Sequence, residues 1–400
     1  MPTHSTLPLA DVRVLDASRV LAGPFCGQLL GDLGADVIKV ERPGSGDETR
    51  AWGPPFVGAL SAYYLSCNRN KRAITLDLAH GEGLQLFQQL VRKCDVLLEN
   101  FRSASADRLG LSPEKLLALN PRLIVCSISG FGRTGPLSEL PGYDFAVQAL
   151  SGLMNITGPI DGPPCKVGVA VTDVLTGLYA ASAVLACLHA RSRSGHGYAV
   201  DLALLDCAVA AQVNVAQAYL TSGIVPPRQG NAHLQIVPYQ LFATADSWIV
   251  LAVGNDGQWQ RFCRAAGRND WAADPRFTTN ILRVQNREVL VPLVQEAMSQ
   301  VSTAEWQERL RAAEVPHAPV WDYATLFAHP QAAARGLRVT VHDADGRPVD
   351  LVGAPFHIAG AALPDATMPP RLGQDTDRVL SELLGVDAQR LSRLRQQGVI

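Results

Sequence analysis

Apolar residues in the N-terminal third of the chain occur in short runs that are typical of buried strands. These runs lie at 12–16, 36–41, 72–78, 95–101 and 123–129. Between the first two runs, Pro24 suits the first turn of a helix and Gly34 suits its end. The alternation predicts β-α-β units, a parallel sheet and an α/β fold, in which ligands bind beyond the carboxyl ends of the strands.

A long apolar stretch runs from Cys165 to Arg191 and contains a single carboxylate, Asp173. Its first part, 166–171, is predicted as a short buried strand, and the helical spacing after Thr172 predicts a long helix. Thr172 or Asp173 would then cap the helix. Two interpretations of Asp173 stay open at this point: an ordinary N-cap, or a carboxylate in an apolar setting that attacks a carbonyl group.

The rest of the chain has a different pattern. Residues 199–220 are predicted as one long apolar helix or a helix pair, and the Pro/Gly-rich segment 222–231 as a linker. Alternating, β-branched runs predict antiparallel hairpins within 233–253 and 338–356. We therefore predict a large domain from 1–200 with 330–400, a linker helix at 201–225, and a small α+β domain at 226–329.

The composition narrows the function class. The formal net charge of −2 argues against nucleic-acid binding. Eight scattered cysteines without close Cys/His spacing predict a reducing, cytoplasmic location and no metal site. No secretory signal is recognised at the N-terminus. The apolar stretches 167–188 and 199–220 contain internal polar residues, so we expect buried helices, at a subunit interface, rather than membrane spans.

Known catalytic motifs are sparse. The chain has no GxSxG, HExxH or P-loop, and its histidines show no ligand spacing. GFGRTG at 130–135 formally matches a dinucleotide-binding fingerprint. Pro136 follows it, however, whereas a true fingerprint opens a helix at its last glycine. Arg42, just beyond the second strand, is placed to meet an anion, with a solvated surface arginine as the alternative.

Seven segments together resemble the class III CoA-transferase family, which includes formyl-CoA transferase and the carnitine CoA-transferases. They are LAGPFCGQLLGDLGADVIKVERPGSGD (21–47), NRNKRAITLDL (68–78), DVLLENF (95–101), SGFGRTGP (129–136), VGVAVTDVLTGLYAA (167–181), GNAHLQIVPYQLF (230–242) and VGAPF (352–356). WGPPFVG (52–58) is most similar to the branch that moves CoA between succinyl-CoA and glutarate or hydroxymethylglutarate. The resemblance implies a Rossmann-like large domain, a smaller α+β domain and an interlocked homodimer.

The resemblance also implies roles for single residues. Asp173 corresponds to the family's nucleophile. The residues implied to bind CoA are Leu21 and Ala22 in its channel, Arg42 and Arg108 at its phosphates, Leu76, Asp77, Leu78, Ala79, Asn100 and Phe101 beside its adenine and pantetheine arms, and Tyr143. Those implied near the substrate acid are Gly230, Asn231 and His233. The formyl-CoA branch has a lysine where this chain has Pro141, and a longer Gly-rich loop near 230.

The implied mechanism is covalent and uses no metal and no tightly bound cofactor. Asp173 attacks the donor thioester, giving a mixed anhydride and CoA thiolate, which returns to form an aspartyl-CoA thioester as the donor acid leaves. The acceptor carboxylate then attacks, and the steps reverse. Backbone N–H groups at the helix start are expected to stabilise each oxyanion. Acyl-CoA and small carboxylic acids are thus the expected partners.

Three other functions are weighed against this one. An α-methylacyl-CoA racemase-type isomerase needs two proton-transfer groups, and Tyr143 is a poor base because the reference pKa of tyrosine is about 10. The others are an NAD-dependent dehydrogenase resting on GFGRTG and a non-catalytic CoA-binding protein. A dicarboxylate substrate would require a cationic or amide group near Asp173, for which the sequence offers Arg50, Arg72, Arg228 and His233.

Overall fold

A computed structural model describes residues 7–400 of the chain. The strands are β1 (Arg13–Asp16), β2 (Asp36–Glu41), β3 (Phe56–Val57), β4 (Leu60–Ser61), β5 (Lys71–Thr75), β6 (Val96–Glu99), β7 (Ile124–Ser129), β8 (Tyr198–Ala203), β9 (Tyr239–Ala243), β10 (Trp248–Ala252), β11 (His317–Pro319), β12 (Arg338–His342) and β13 (Pro348–Val352).

The helices are α1 (Ala22–Asp32), α2 (Ala62–Ser66), α3 (Gly81–Val91), α4 (Ser103–Leu109), α5 (Pro113–Leu119), α6 (Asp144–Leu150), α7 (Leu153–Ile156), α8 (Val171–Ser194), α9 (Leu204–Ala211), α10 (Val213–Ser222), α11 (Asp256–Ala265), α12 (Asn269–Ala273), α13 (Asn280–Gln285), α14 (Arg287–Ser299), α15 (Thr303–Ala312), α16 (Tyr323–Ala328), α17 (Pro330–Ala334), α18 (Thr376–Leu384) and α19 (Ala388–Gln396). A short 3-10 helix spans Glu48–Ala51.

Six parallel strands form the main sheet, in the order β5-β2-β1-β6-β7-β8. Counted along the chain within this sheet, the order is 3-2-1-4-5-6, which is the Rossmann order. The predicted parallel α/β architecture is therefore confirmed. The winding direction reverses between β1 and β6, so a crevice opens beyond their carboxyl ends.

Alternate residues of each strand pack on opposite faces of this sheet. Leu15, Ile38 and Leu97 face a layer formed by α3, α5, α18 and α19. Their neighbours Val14 and Val37 face a layer formed by α1, α8 and α9. All five side chains are fully or almost fully buried, so burial on both faces explains why these strands read as continuous apolar runs.

The chain divides into two compact units. The first contains the residues up to Ser151, Val167–Gln212 and Pro330–Ile400, and so includes the six-stranded sheet. The second contains Gly152–Lys166 and Val213–His329. Its antiparallel sheet β11-β10-β9 packs under a core that includes Trp259, Phe262 and Trp306.

Two predicted elements differ from the structure. The strand predicted at 166–171 is wrong: the segment before Val171 is irregular, and the helix starts at Val171. The helix predicted from 199 is also wrong at its start, because Tyr198–Ala203 pairs with β7 as the edge strand of the main sheet. The remainder of 199–220 forms α9 and α10. Apolar content alone does not distinguish a buried helix from a buried strand.

Residues near the C-terminus complete one edge of the main sheet. The Asp375 Oδ2 atom accepts a hydrogen bond from the N–H of Ala73 at 2.9 Å. The carbonyl oxygen of Val399 accepts one from the N–H of Asp77 at 2.8 Å. Strand β5 and the turn after it are therefore held by residues about three hundred positions further along the chain.

Candidate active site

Asp173 lies in the first turn of α8. The helix has Ala170 at its N-cap position, and Ala170 provides no side-chain cap. The prediction that Thr172 or Asp173 caps the helix is therefore wrong. The cap comes from another helix: Asp144 Oδ1 accepts hydrogen bonds from the Thr172 N–H at 2.8 Å and the Thr172 hydroxyl at 2.7 Å. Because Asp144 supplies the cap, the carboxylate of Asp173 is not used for capping and is available to react.

The Asp173 side chain has no hydrogen-bond or ion-pair partner within the described residues, 7–400. Burial, and then the like charge of Asp144, raise the pKa of this carboxyl from 3.8 to about 7. The helix N-terminus favours the anion, but it contributes only about 1 kcal/mol, so desolvation prevails. An unpaired carboxylate that ionises near neutral pH is suited to nucleophilic attack.

Most backbone donors around Asp173 are already engaged. The N–H groups of Val171 and Val174 bond to Val169 and Ala170, and that of Thr172 bonds to Asp144. In the described part of the chain, the N–H of Asp173 itself has no acceptor. Several N–H groups at the helix start were expected to stabilise an oxyanion. Among the described residues of this turn, the N–H of Asp173 is the one that is available for this role.

Asp173 lines a cavity of about 180 Å³ in the first unit. The cavity lies at the crevice between β1 and β6, since its walls include the segments that directly follow these two strands. The lining residues are Arg19, Val20, Ala22, Glu48, Asn100, Phe101, Arg102, Ser103, Ile128, Ser129, Gly130, Ser138, Glu139, Leu140, Pro141, Gly142, Tyr143, Asp173 and Leu204. The cavity thus occupies the position where parallel α/β sheets bind ligands.

The cavity walls are fixed by contacts between distant segments. Asn100 Oδ1 accepts the Arg19 N–H at 3.1 Å, and Asn100 Nδ2 donates to the Arg19 carbonyl at 2.9 Å. Gly130 and Gly142 touch through their backbones, because a Cβ atom on Gly142 would lie 2.3 Å from the Gly130 Cα. Gly130, the first residue of GFGRTG, lines the cavity, and no helix starts within 130–135, which argues against use of this segment as a dinucleotide fingerprint.

Some residues predicted for the site line this cavity, and others do not. Asp173, Ala22, Asn100, Phe101 and Tyr143 line it. Those in the first unit but outside the lining are Leu21, Arg42, Leu76, Asp77, Leu78, Ala79 and Arg108. Leu21 directly precedes Ala22, and the side chains of Arg42 and Arg108 are exposed. Their roles toward CoA stay predictions.

The residues predicted near the substrate acid, Gly230, Asn231 and His233, belong to the second unit. There the His233 Nδ1 atom accepts a hydrogen bond from the Gln235 N–H at 3.0 Å, and its ring meets Tyr239 edge-on. These contacts give His233 a place in local packing. A role at the substrate stays a prediction.

Sequence reasoning missed several lining residues, above all Arg19, Arg102 and Glu139. The position of Arg19 and Arg102 just after β1 and β6 was the available signal, because the carboxyl ends of parallel strands form binding sites. Tyr63 was also missed. Burial, and then the charge of Asp173, raise the pKa of its hydroxyl, so Tyr63 lies within electrostatic reach of the carboxylate.

We expect the ionisation of Asp173 to govern the pH dependence of activity. The anion is the nucleophile, so kcat/KM should rise with pH and level off above about pH 7. Asp144→Asn keeps an oxygen acceptor for Thr172 but removes the like charge, so the inflection should move to lower pH. Glu139→Gln, in the same cavity wall, is the matched control. An inflection unchanged by Asp144→Asn would contradict this account.

Between residues 7 and 400, no group of three or more His, Cys, Asp or Glu residues is arranged to hold a metal ion. Among the helices of the described residues, α8 alone is long and apolar enough to cross a membrane, judged by length and composition. Core helices of soluble proteins pass the same test.

Known proteins resemble this chain over almost its whole length. A succinate–glutarate CoA-transferase from Agrobacterium fabrum is 46% identical, over 94% of this chain and 96% of its own. The human succinyl-CoA:glutarate CoA-transferase is 40% identical, over 98% of this chain and 90% of its own. A CaiB/BaiF family structure from Brucella suis matches with a TM-score of 0.83 and 42% identity, covering 95% of this chain and 100% of that one.

These relatives carry transferase names, which does not favour the racemase alternative. The model of CoA-transferase family III matches residues 9–376. An unpaired carboxylate at the crevice of a parallel sheet, full-length relatives and a family match agree with one another. The chain belongs to CoA-transferase family III and is a CoA-transferase that acts on CoA thioesters.

Proposed function

We propose that this enzyme transfers CoA from succinyl-CoA to a dicarboxylic acid such as glutarate, through a covalent intermediate on Asp173. The observation that carries the proposal is the unpaired Asp173 carboxylate in a cavity at the switch point of the sheet. The names of the relatives support the substrate class: glutarate, citramalate, mesaconate and oxalate are all dicarboxylates.

Each step balances in atoms and charge. An Asp173 oxygen bonds to the succinyl carbonyl carbon, the C–S bond breaks, and CoA leaves as a thiolate. The thiolate then attacks the Asp173 carbonyl carbon of the anhydride, so that succinate leaves and an aspartyl thioester forms. Glutarate attacks this thioester and displaces CoA thiolate to give a second anhydride. The thiolate finally attacks the glutaryl carbonyl, releasing glutaryl-CoA and the Asp173 carboxylate.

The site suits this chemistry for two reasons. First, no cationic side chain of the part of the chain that the structure describes is bonded to Asp173, so its oxygen lone pairs are available for attack. Second, its raised pKa makes the carboxylate more basic than an ordinary aspartate, and hence a better nucleophile. Covalent catalysis then replaces one difficult exchange between two acids by a series of acyl transfers within one cavity.

The test is a substrate panel with trapping. The enzyme is incubated with succinyl-CoA and glutarate, citramalate, mesaconate, oxalate or butyrate, and the new thioesters are identified by mass spectrometry. Glutaryl-CoA is the expected main product. Hydroxylamine added with succinyl-CoA alone should convert Asp173 to a hydroxamate, seen in a peptide map. If none of the acids in the panel is converted to a thioester, the proposed function is refuted.

A homodimer is part of the proposal. On the first unit, Leu178, Tyr179 and Val209 expose apolar side chains. On the second unit, Val213, Tyr219, Leu220, Ile224 and Val225 do so. Apolar surfaces of this kind mark interfaces, and an interlocked dimer, as the family resemblance implies, would cover them. Light scattering coupled to size exclusion should give twice the chain mass of 42.8 kDa.

A reducing, cytoplasmic location also belongs to the proposal. All eight cysteines are free, and six of them are buried. Free thiols in this number are typical of proteins kept in reducing compartments.

A further inference from the structure

The arginines that the sequence offered for a second substrate carboxylate are already engaged. Arg50 forms an ion pair with Glu41 at 2.6 Å and donates to the Tyr64 hydroxyl. Arg72 forms ion pairs with Asp36 and Glu382. Each would have to give up these partners to bind a substrate.

Arg228 is engaged in a different way. In the second unit, its guanidinium donates to three backbone carbonyl oxygens, those of Asn155, Pro159 and Gly162. These bonds hold the segment that precedes α8 in the chain. Arg228 is thus occupied by backbone partners, and the remaining cationic candidates are the arginines that line the cavity.

Only two of the described residues that line the cavity are cationic, Arg19 and Arg102. Neither guanidinium has a hydrogen-bond or ion-pair partner within residues 7–400. The other charged lining residues, Glu48, Glu139 and Asp173, are acidic. A dicarboxylate that enters this cavity is therefore repelled by three side chains and attracted by two.

The backbone that carries Arg19 is fixed on both sides. Asn100 bonds to both the N–H and the carbonyl oxygen of Arg19. The preceding carbonyl, of Ser18, accepts a hydrogen bond from the buried Lys39 ammonium at 3.1 Å. The following residue, Val20, has a φ of 71°, and its N–H points to the Asp47 carboxylate at 3.3 Å. A strained, fully bonded loop thus presents an unpaired guanidinium, as a preorganised binding group requires.

The same loop lies next to the helix face that carries Asp173. Gly177 is one turn beyond Asp173 and hence on the same face of α8. A Cβ atom on Gly177 would lie 2.8 Å from the carbonyl oxygen of Ala22, so the start of α1 packs directly against this face. Arg19 is three residues before Ala22. Arg102 instead begins the segment that continues through α4 to Arg108, a predicted CoA phosphate contact.

We propose that Arg19 binds the distal carboxylate of a dicarboxylic acyl group while the proximal carboxyl carbon reacts at Asp173. This inference rests on the proposed function, because it assumes CoA exchange at Asp173. Donor and acceptor acids pass through the same acyl position in the two half-reactions, so one guanidinium serves both. An arginine matches a carboxylate with two parallel hydrogen bonds, which favours dicarboxylates over monocarboxylates of the same length.

The test compares succinyl-CoA with butyryl-CoA, which has the same chain length but no distal carboxylate. With glutarate as acceptor, the measured quantity is kcat/KM for succinyl-CoA divided by kcat/KM for butyryl-CoA. Arg19→Met should lower this ratio about 10- to 100-fold. Arg19→Lys should give a ratio between those of Arg19→Met and wild type, because lysine keeps the positive charge but cannot form two parallel hydrogen bonds with a carboxylate. Arg102→Met is the matched control from the same wall. It should lower kcat/KM for both donors by the same factor, because both carry the same CoA.

The outcomes separate the inference from the function on which it rests. An equal loss for both donors in Arg19→Met, or a changed ratio in Arg102→Met alone, overturns the role of Arg19. Wild-type enzyme that transfers no CoA from succinyl-CoA, or that leaves Asp173 unmodified by hydroxylamine, overturns the proposed function instead. Near-UV circular dichroism of each variant checks folding, and the ratio of two donors on one protein preparation is unaffected by a partly unfolded fraction.

Discussion

Replacing Asp173 with asparagine should abolish CoA transfer, with a loss of kcat of about 10⁴-fold or more, because the amide cannot form the acyl bond. The measurement is glutaryl-CoA formation from succinyl-CoA, followed by mass spectrometry. Hydroxylamine should give no modified peptide in the variant. Asp206→Asn, an exposed aspartate outside the cavity lining, is the control and should keep full activity.

Asp173→Asn should also raise the free energy of unfolding at neutral pH, and a gain of this kind would show that the variant is folded. The folded-state pKa of about 7 lies above the ordinary 3.8, so ionisation of Asp173 costs stability as pH rises from about 4 to 7. Asparagine carries no charge at any pH. The variant should therefore be more stable than wild type above pH 7, and the gain should vanish near pH 4. Full transferase activity in the variant would remove the covalent mechanism.

Replacing Lys39 with methionine should lower the free energy of unfolding by about 3–5 kcal/mol, the usual cost of breaking a buried ion pair from one side. Lys39 Nζ lies 2.9 Å from Asp47 Oδ2, and both side chains are fully buried. The variant leaves the Asp47 carboxylate buried without its cation. It also removes the bond to Ser18, so the loop that carries Arg19 should loosen.

Urea unfolding at several pH values measures this effect. Lys39 helps to hold the pKa of Asp47 below its ordinary value, against the opposing effect of burial. The ion pair therefore stabilises the fold at pH values above the ordinary pKa of aspartate, and this stabilisation is lost as the pH falls through the lowered pKa. The deficit of Lys39→Met should thus be largest near pH 7 and shrink in acid. Lys93→Met, at an exposed position, should stay within about 0.5 kcal/mol of wild type. Equal stability of the two variants would contradict the assigned pair.

The parallel sheet could be predicted because its strands are buried on both faces and read as uninterrupted apolar runs. The same property caused the errors. Residues 198–203 form an edge strand and 204–211 a helix, yet both are apolar, so only pairing with β7 distinguishes them. Periodicity along the chain carries no information about which neighbour a segment meets.

The candidate site could be predicted where the local sequence marks a residue. It could not be predicted where a residue's position depends on a hydrogen-bond partner far away in the chain. Asp173 could be found from one carboxylate in an apolar run. The residue that caps α8, Asp144, lies 28 positions before Thr172, and nothing in the local sequence indicates that the two meet. Arg19 likewise depends on Asn100, 81 positions later. Such contacts exist only after the sheet has assembled.

The hydrogen bonds that Ala73 and Asp77 donate to Asp375 and Val399 have a consequence for biosynthesis. Until residues 375–399 have been translated, Ala73 and Asp77 lack these partners. The first unit therefore acquires its finished edge only after residues 375–399 have left the ribosome.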